Sequence, residues 1–173
     1  MKLQRDGMKN KIKLINFINA SLEEKKMILR WRNHPHIRKW MYNQKEISLD
    51  SHLNFIESLK SSKNKIYFLV KMDKEYIGVI DFTNIDYKNK STYFGLYSNP
   101  YSKVPGIGRI LEKIAIDYAF NTLNMNALKL EVFEDNKIVI NLHKKFNFKQ
   151  TGEKIVNNKK VIVMELKNEN RKN

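Results

Sequence analysis

Cysteine is absent from the 173 residues, which excludes disulfides, thiol nucleophiles and thiolate metal sites. Histidine is scarce, at positions 34, 36, 52 and 143 only, so a histidine-rich metal centre is not expected and no metal is assigned. No apolar run approaches the roughly 20 residues of a membrane span. Residues 1–11 are charged and polar, without the apolar stretch of a secretion signal. A cytoplasmic protein with no membrane partner is the expectation. Acidic residues are also few, 18 against 33 lysines and arginines, for a formal charge of +15. That excess is mostly lysine spread along the whole chain among asparagine and isoleucine, the pattern of a solvated surface rather than a nucleic-acid patch. No nucleic-acid partner is expected, but a positive field concentrates small anions, and coenzyme A and nucleotide sugars both qualify.

Proline occurs three times and glycine six times, and Pro100, Pro105, Gly106 and Gly108 all fall between Asn99 and Arg109. A strand-like run, residues 91–97, enters this turn. Apolar residues then recur at Ile107, Ile110, Leu111, Ile114, Ala115 and Tyr118, the spacing of a helix reaching about residue 124. Strand, loop and helix in that order, with glycines baring the helix start, present unpaired N–H groups and the positive end of the dipole to an anion. A Walker loop is excluded because no Gly-Lys-Ser/Thr follows, and a dinucleotide fingerprint would sit near the front of a βαβ unit.

The remaining elements follow from periodicity. Residues 12–18 read as a first strand, with Ile12, Leu14 and Phe17 as its inward candidates, after a flexible tail over 1–11. Ser21 is an N-cap with Glu23 and Glu24 in the first turn. Pro35 turns the chain at Asn33 and opens a short second helix. Ser48 caps an amphipathic helix to residue 59. Residues 66–72, 76–83 and 91–97 form an antiparallel meander, 127–133 a strand and 137–146 a helix. Residues 150–156 and 160–166 close a hairpin through Asn157-Asn158, and 167–173 is a tail. At this length the chain predicts one domain, residues 12–166, with about seven strands. Trp31 and Trp40, with Arg30, Arg32 and Arg38, fall in one segment. They are either core anchors with a charged rim or the wall of an acceptor site, in which Arg32 offers paired donors to a diphosphate and an aromatic face stacks on a base.

The loop Lys103-Val104-Pro105-Gly106-Ile107-Gly108 resembles the pyrophosphate loop of the GNAT acyltransferases, in which Gln or Arg, two residues, Gly, one residue and Gly or Ala open the central helix. Lysine stands at the first position here. Trp31-Arg32-Asn33-His34-Pro35, followed by Ser48-Leu49-Asp50-Ser51-His52, is similar to the ribosomal-protein N-acetyltransferase branch of that family. Within it the chain resembles the members that N-acetylate UDP-4-amino-4,6-dideoxy-N-acetyl-β-L-altrosamine for pseudaminic acid and flagellin glycosylation. The resemblance implies an α/β (α+β) GNAT fold, a mixed and mostly antiparallel sheet flanked by helices. It implies acetyl-CoA as co-substrate, a UDP-amino-sugar as substrate and direct attack in a ternary complex. A protein N-terminus or a polyamine is the other acceptor to weigh, though polyamine sites want acidic linings, and an RNA-binding module is supported by charge alone. Edge strands near the C-terminal hairpin allow a homodimer.

By the same resemblance, Lys103 to Arg109, Leu96, Tyr97, Ser98, Asn136 and Ile140 would hold the co-substrate, with Asn136 as a helix cap, and Arg32, His52 and Tyr97 the acceptor. Gly95 marks either the splayed strand that meets the pantetheine arm or a packing glycine beneath an aromatic. Amide formation needs a neutral amine, donors for the oxyanion and a proton for the thiolate. The oxyanion donors would be backbone N–H groups from Leu96 to Ser98. His143 stands where the family usually has the tyrosine acid, and Asn147 where it has glycine, which asparagine can replace in left-handed geometry. Tyr97, or unaided thiolate departure, is the alternative to His143. Asp81 and Glu131 are the candidate bases, acting directly or through water; Tyr93 occupies a position that is often glutamate in the family. His143→Phe is expected to cut turnover at saturating substrate by about 100-fold; unchanged turnover would remove His143 from the mechanism.

Overall fold

The strands at residues 66–98 carry apolar side chains on both faces, so each face requires its own cover of helices. The computed structural model describes residues 2–5 and 8–171. In chain order the elements are β1 (Lys2–Arg5), β2 (Met8–Asn16), α1 (Leu22–Asn33), α2 (Pro35–Arg38), α3 (Leu49–Ser58), β3 (Ile66–Met72), β4 (Glu75–Asp86), β5 (Ser91–Ser98), α4 (Ile107–Asp117), β6 (Ala127–Phe133), α5 (Lys137–Lys145), β7 (Lys149–Val156) and β8 (Lys159–Lys167). The strands make one sheet in the order β1-β2-β3-β4-β5-β6-β8-β7. Every neighbouring pair is antiparallel except β5 and β6, which are parallel. The seven strands expected are β2 to β8, and β1 adds an eighth at the edge.

Successive side chains on β3 and β4 go to two different cores. Phe68, Val70, Ile80 and Phe82 join Ile107, Leu111, Ile114 and Ala115 of α4 on one face. Leu69 and Val79 join Phe17, Ile28, Trp31, Ile56 and Leu59 on the other, beneath α1 and α3. Trp31 is therefore a core anchor. Each large apolar side chain so buried is worth about 1.5–3 kcal/mol.

The helix starts are specified locally. Ser21 Oγ accepts the Glu24 N–H at 3.1 Å while Glu24 Oε1 accepts the Ser21 N–H at 2.9 Å, a reciprocal capping box. Glu24 also takes the Tyr76 hydroxyl at 2.8 Å, tying α1 to β4. Ser48 Oγ accepts the Ser51 N–H at 3.1 Å at the start of α3. Asn157 and Asn158 both have positive φ, 52° and 60°, the geometry of a type I′ hairpin turn between β7 and β8. Asn147 sits at φ 72°, so asparagine does supply the left-handed geometry expected there, and its amide donates to the Asn170 carbonyl at 3.1 Å.

Several boundaries differ from expectation. The first strand ends at Asn16, where the side chain caps a 3₁₀ turn over Phe17–Asn19. In place of a flexible tail over 1–11, Lys2–Arg5 pairs with Met8–Lys11 as a two-stranded ribbon; Met1, Asp6 and Gly7 lie outside the described residues. The central helix is regular only to Asp117, after which Tyr118–Thr122 widen into a π turn closed by Leu123 N–H on the Tyr118 carbonyl at 2.9 Å. Of the expected C-terminal tail, Lys167 completes β8, Asn168–Asn170 form a 3₁₀ turn, and Arg171 lies 5.7 Å over the Phe120 ring; Lys172 and Asn173 lie outside the described residues.

Gly78 marks a close approach within the sheet. A Cβ there would stand 2.5 Å from the Tyr97 carbonyl oxygen and 2.6 Å from Leu111 Cδ1, so glycine lets β4, β5 and α4 meet. Gly78→Ala is expected to destabilise the fold by about 1–3 kcal/mol, the usual cost of overpacking, read from urea unfolding midpoints. An unchanged midpoint would mean that the strands yield without strain.

Candidate active site

Parallel pairing between β5 and β6 lasts only from Ser91–Tyr93 against Ala127–Lys129. Beyond it the strands part, and Phe94–Ser98 face Leu130–Phe133 across a cleft of about 610 Å³. The backbone groups of β5 on that side have no strand partner and are free to bind something else. One wall comes from α5, where Asn136, Val139, Leu142 and His143 form a stripe at helical spacing. The opposite wall comes from the segment 32–55, with Arg32, Trp40, Tyr42 and His52. Trp40 is thus a wall residue, with Lys39 Nζ 5.2 Å over its ring.

At the mouth, Gly106 has φ +71°, a left-handed conformation that favours glycine, and begins α4 with no side chain capping the helix. Gly108 lines the cleft, where a Cβ would meet Leu142 Cδ2 at 3.5 Å, so its bareness keeps the backbone open to the cleft. The uncapped first turn of an eleven-residue helix is the cradle that an anion requires. Of the residues expected to hold the co-substrate, Leu96, Tyr97, Ser98, Gly108 and Asn136 line the cleft. Lys103, Pro105 and Arg109 are exposed along the loop and first turn, and Val104 packs on the core. The side chains of Ile107 and Ile140 do not line the cleft, although the Ile107 backbone belongs to the first turn of α4. Their side chains are buried, 6% and 7% exposed, in the α4 core, and Val139 and Leu142 take the place assigned to Ile140. Asn136 occupies the N-cap position of α5 but makes no capping bond with its side chain, contrary to expectation.

The wall formed by segment 32–55, expected to meet the acceptor, is pinned by hydrogen bonds. The Asn33 amide donates to the Ile47 carbonyl at 2.9 Å and accepts the Ile47 N–H at 2.8 Å. Arg32 Nη2 donates to the Asn43 carbonyl at 3.0 Å and Arg38 Nη1 to the Gln44 carbonyl at 3.2 Å. Arg32 Nη1 is buried with no partner among the described residues, and burial lowers the pKa of its guanidinium. His52 is buried with Nε2 2.8 Å from the Lys25 carbonyl. Burial lowers its pKa, so a neutral ring donates that bond and braces α3 against α1.

Three titratable candidates meet at the cleft. Asp81 pairs in register with Gly95, and a Cβ on Gly95 would stand 2.8 Å from Asp81 Oδ2, so the glycine lies beneath a carboxylate rather than an aromatic. Burial raises the Asp81 pKa to about 7, with the Gly95 amide pulling the other way. Glu131 has both oxygens engaged, Oε1 by the Tyr42 hydroxyl at 2.6 Å and Oε2 by Lys154 Nζ at 2.7 Å. That leaves Asp81 the freer base. His143 is buried, with Nδ1 2.5 Å from Glu112 Oε1. Tyr97 lines the cleft too, and burial pushes its phenol well up, which keeps it protonated.

Two residues of this neighbourhood were not anticipated. Tyr42 lies in a polar stretch without periodicity, and its partner Glu131 is 89 positions away. Glu112 had a signal, since Gly108, Glu112, Ala115 and Ala119 recur on one helix face and place a carboxylate among small residues.

The splayed strands, the bare helix start and the buried acid–base groups define an acyl-transfer cleft of one kind. Residues 26–148 match the acetyltransferase (GNAT) family, and the chain belongs to it. It is 44% identical to acetyltransferase PseH of Campylobacter jejuni subsp. jejuni serotype O:23/36 over 137 residues, 79% of this chain and 84% of the relative. The crystal structure of C. jejuni PseH in complex with acetyl coenzyme A superimposes with a TM-score of 0.74 at 35% identity, covering 91% of this chain and 99% of that one. Spermidine N-acetyltransferase from Vibrio cholerae, in complex with CoA and spermine, shares the fold with a TM-score of 0.82 at 20% identity, over 92% and 96% of the two chains. The chain is an acetyl-CoA-dependent N-acetyltransferase, and the cleft fits that co-substrate: the anion cradle at α4 and the partnerless edge of β5 lie where a pyrophosphate and an amide-bearing arm need donors. No group of residues suited to a metal ion occurs among the described residues, and none of their helices is long and apolar enough to cross a membrane.

Asp81 gives this site a pH signature. Its folded carboxyl keeps a proton up to about pH 7, whereas an unfolded aspartate releases it near 3.8, so folded stability falls as pH rises between those values. Asp81→Asn removes that loss. Its melting temperature should exceed that of the wild type by more at pH 8 than at pH 5, and the acid limb of kcat/KM near pH 7 should vanish with it. Identical pH dependence in both proteins would remove Asp81 as the titrating base.

Proposed function

We propose that the chain transfers the acetyl group of acetyl-CoA to the 4-amino group of UDP-4-amino-4,6-dideoxy-N-acetyl-β-L-altrosamine, on the cytoplasmic route to pseudaminic acid for flagellin glycosylation. The observation that carries this reading is Arg32 Nη1, a cationic donor buried on the acceptor wall with no partner among the described residues. A buried donor without an acceptor costs about 1–3 kcal/mol, and a diphosphate oxygen is the group that recovers it. Trp40 offers a flat face on the same wall for a base. The similarity to acetyltransferase PseH supports this reading.

In this reading the amine reaches the cleft as an ammonium, and Asp81 takes its first proton, directly or through water. Backbone N–H groups from Leu96 to Ser98, on the edge of β5 that β6 has left, receive the oxyanion as the amine attacks. Tyr42 and Lys154 hold Glu131 as a fixed feature of the wall. A polyamine acceptor is less well supported. Of the two acids on the cleft, Glu131 is already paired with Lys154, and Arg32 would repel a polycation.

The test is an end-point mass spectrum with acetyl-CoA and the nucleotide sugar, beside spermidine and an N-terminal peptide. One acetyl added to the nucleotide sugar alone is expected; acetylated spermidine or peptide instead would overturn the acceptor. Arg32→Lys keeps the charge and loses the planar fork, so KM for the nucleotide sugar should rise about tenfold or more while KM for acetyl-CoA holds. A parallel rise in both would place Arg32 outside the acceptor site.

A further inference from the structure

Glu112 and His143 form a buried pair that the fold does not require. Glu112 has no solvent exposure, and its Oε2 has no partner among the described residues. An apolar side chain of similar size would fill the space between α4 and α5 at lower cost, since a buried pair seldom repays its desolvation and an orphaned oxygen adds to the penalty. His143 is wedged between Phe94, 6.1 Å away and edge-on, and Phe148, 5.6 Å away, so its ring has one orientation. Its Nδ1 meets Glu112 Oε1 at 2.5 Å, its Nε2 bonds no described residue, and the ring lines the cleft. A carboxylate only accepts, so the nitrogen that faces it carries the proton. Nε2 is then the ring nitrogen left without a partner among the described residues, on a side chain that lines the cleft.

We propose that Glu112 is a positioning residue that fixes the tautomer and direction of His143, making Nε2 a proton relay from the attacking nitrogen to the departing sulfur. The inference rests on the acetyl-transfer reading above. Once Asp81 has freed the amine, the carbon–nitrogen bond forms and the carbon–sulfur bond breaks. The nitrogen then sheds one more proton, and the sulfur takes one. Nε2 receives the first and delivers the second, so the imidazole ends as it began, and Glu112 touches neither substrate. His143 is thereby a base before it is an acid, and the proton it gives to sulfur is the one it took from nitrogen.

The tautomer is read in ligand-free protein by ¹H–¹⁵N correlation of the imidazole nitrogens, at a pH where the ring is neutral. The His143 proton is expected on Nδ1 in the wild type, and redistributed toward Nε2 in Glu112→Gln. In steady state, Glu112→Gln should lower kcat about 100-fold with both KM values within about threefold, His143→Gln should match it, and the double variant should be no slower than the slower single one. A wild-type proton on Nε2, full kcat in Glu112→Gln, or losses that multiply in the double variant would each overturn the proposal. If Glu112→Gln fails to fold, the wild-type tautomer and His143→Gln kinetics still decide it: a proton on Nε2, or full kcat without the histidine, rejects the relay. Because the tautomer is read without an acceptor, it does not share its failure with the choice of nucleotide sugar.

Discussion

The parting of β5 from β6 after three paired residues is the constraint on which the rest of the molecule depends. A sheet that stops pairing in its middle loses ladder bonds and must be held open by what flanks it. On one side α4 packs its Ile107, Leu111 and Ile114 face against β4 and β5, and Gly78 permits that approach. On the other side α5 supplies the wall that faces the gap. Backbone N–H groups left without a strand partner are a cost to folding and, in the proposed mechanism, a resource for catalysis as donors to the oxyanion.

Expensive burials gather at the same place. Among the described residues the buried polar or charged side chains are His52, Thr92, Glu112 and His143, and all but Thr92 line the cleft or contact a residue that does. Asp81 and Arg32 join them with pKa values moved by burial, the carboxylic acid upward and the guanidinium downward. Such clustering is what chemistry at a dry site demands, and two separate apolar cores offset its cost.

Much of this was legible in the sequence because local rules and tertiary structure agree. Ser21 and Ser48 cap helices, Pro35 ends one helix and starts another, Asn157-Asn158 makes the hairpin, and the glycine-bared loop opens α4, all through interactions within a few residues. What stayed hidden depends on partners far along the chain. The ribbon at β1 has few apolar residues to announce it, yet backbone pairing with β2 forms it. Ile140 was assigned to the cleft by family resemblance, which locates the helix but not its rotation, and a shift of one position turns a side chain into the core. Gly95 signalled a close approach without naming the visitor, which is Asp81 on the paired strand. Tyr42 gave no signal at all.

The reciprocal pair of hydrogen bonds between the Asn33 amide and the Ile47 backbone, with the two arginines on neighbouring carbonyls at Asn43 and Gln44, has a thermodynamic consequence for recognition. The excursion between α1 and α3 is ordered when the chain folds, so its conformational entropy is lost once and not again at each encounter. A ligand therefore meets a rigid surface and is sorted by what it leaves unsatisfied. In the proposed reading, a compound lacking an anion opposite Arg32 would strand a desolvated guanidinium, and rejection of this kind is far steeper than any that a missing methylene could produce.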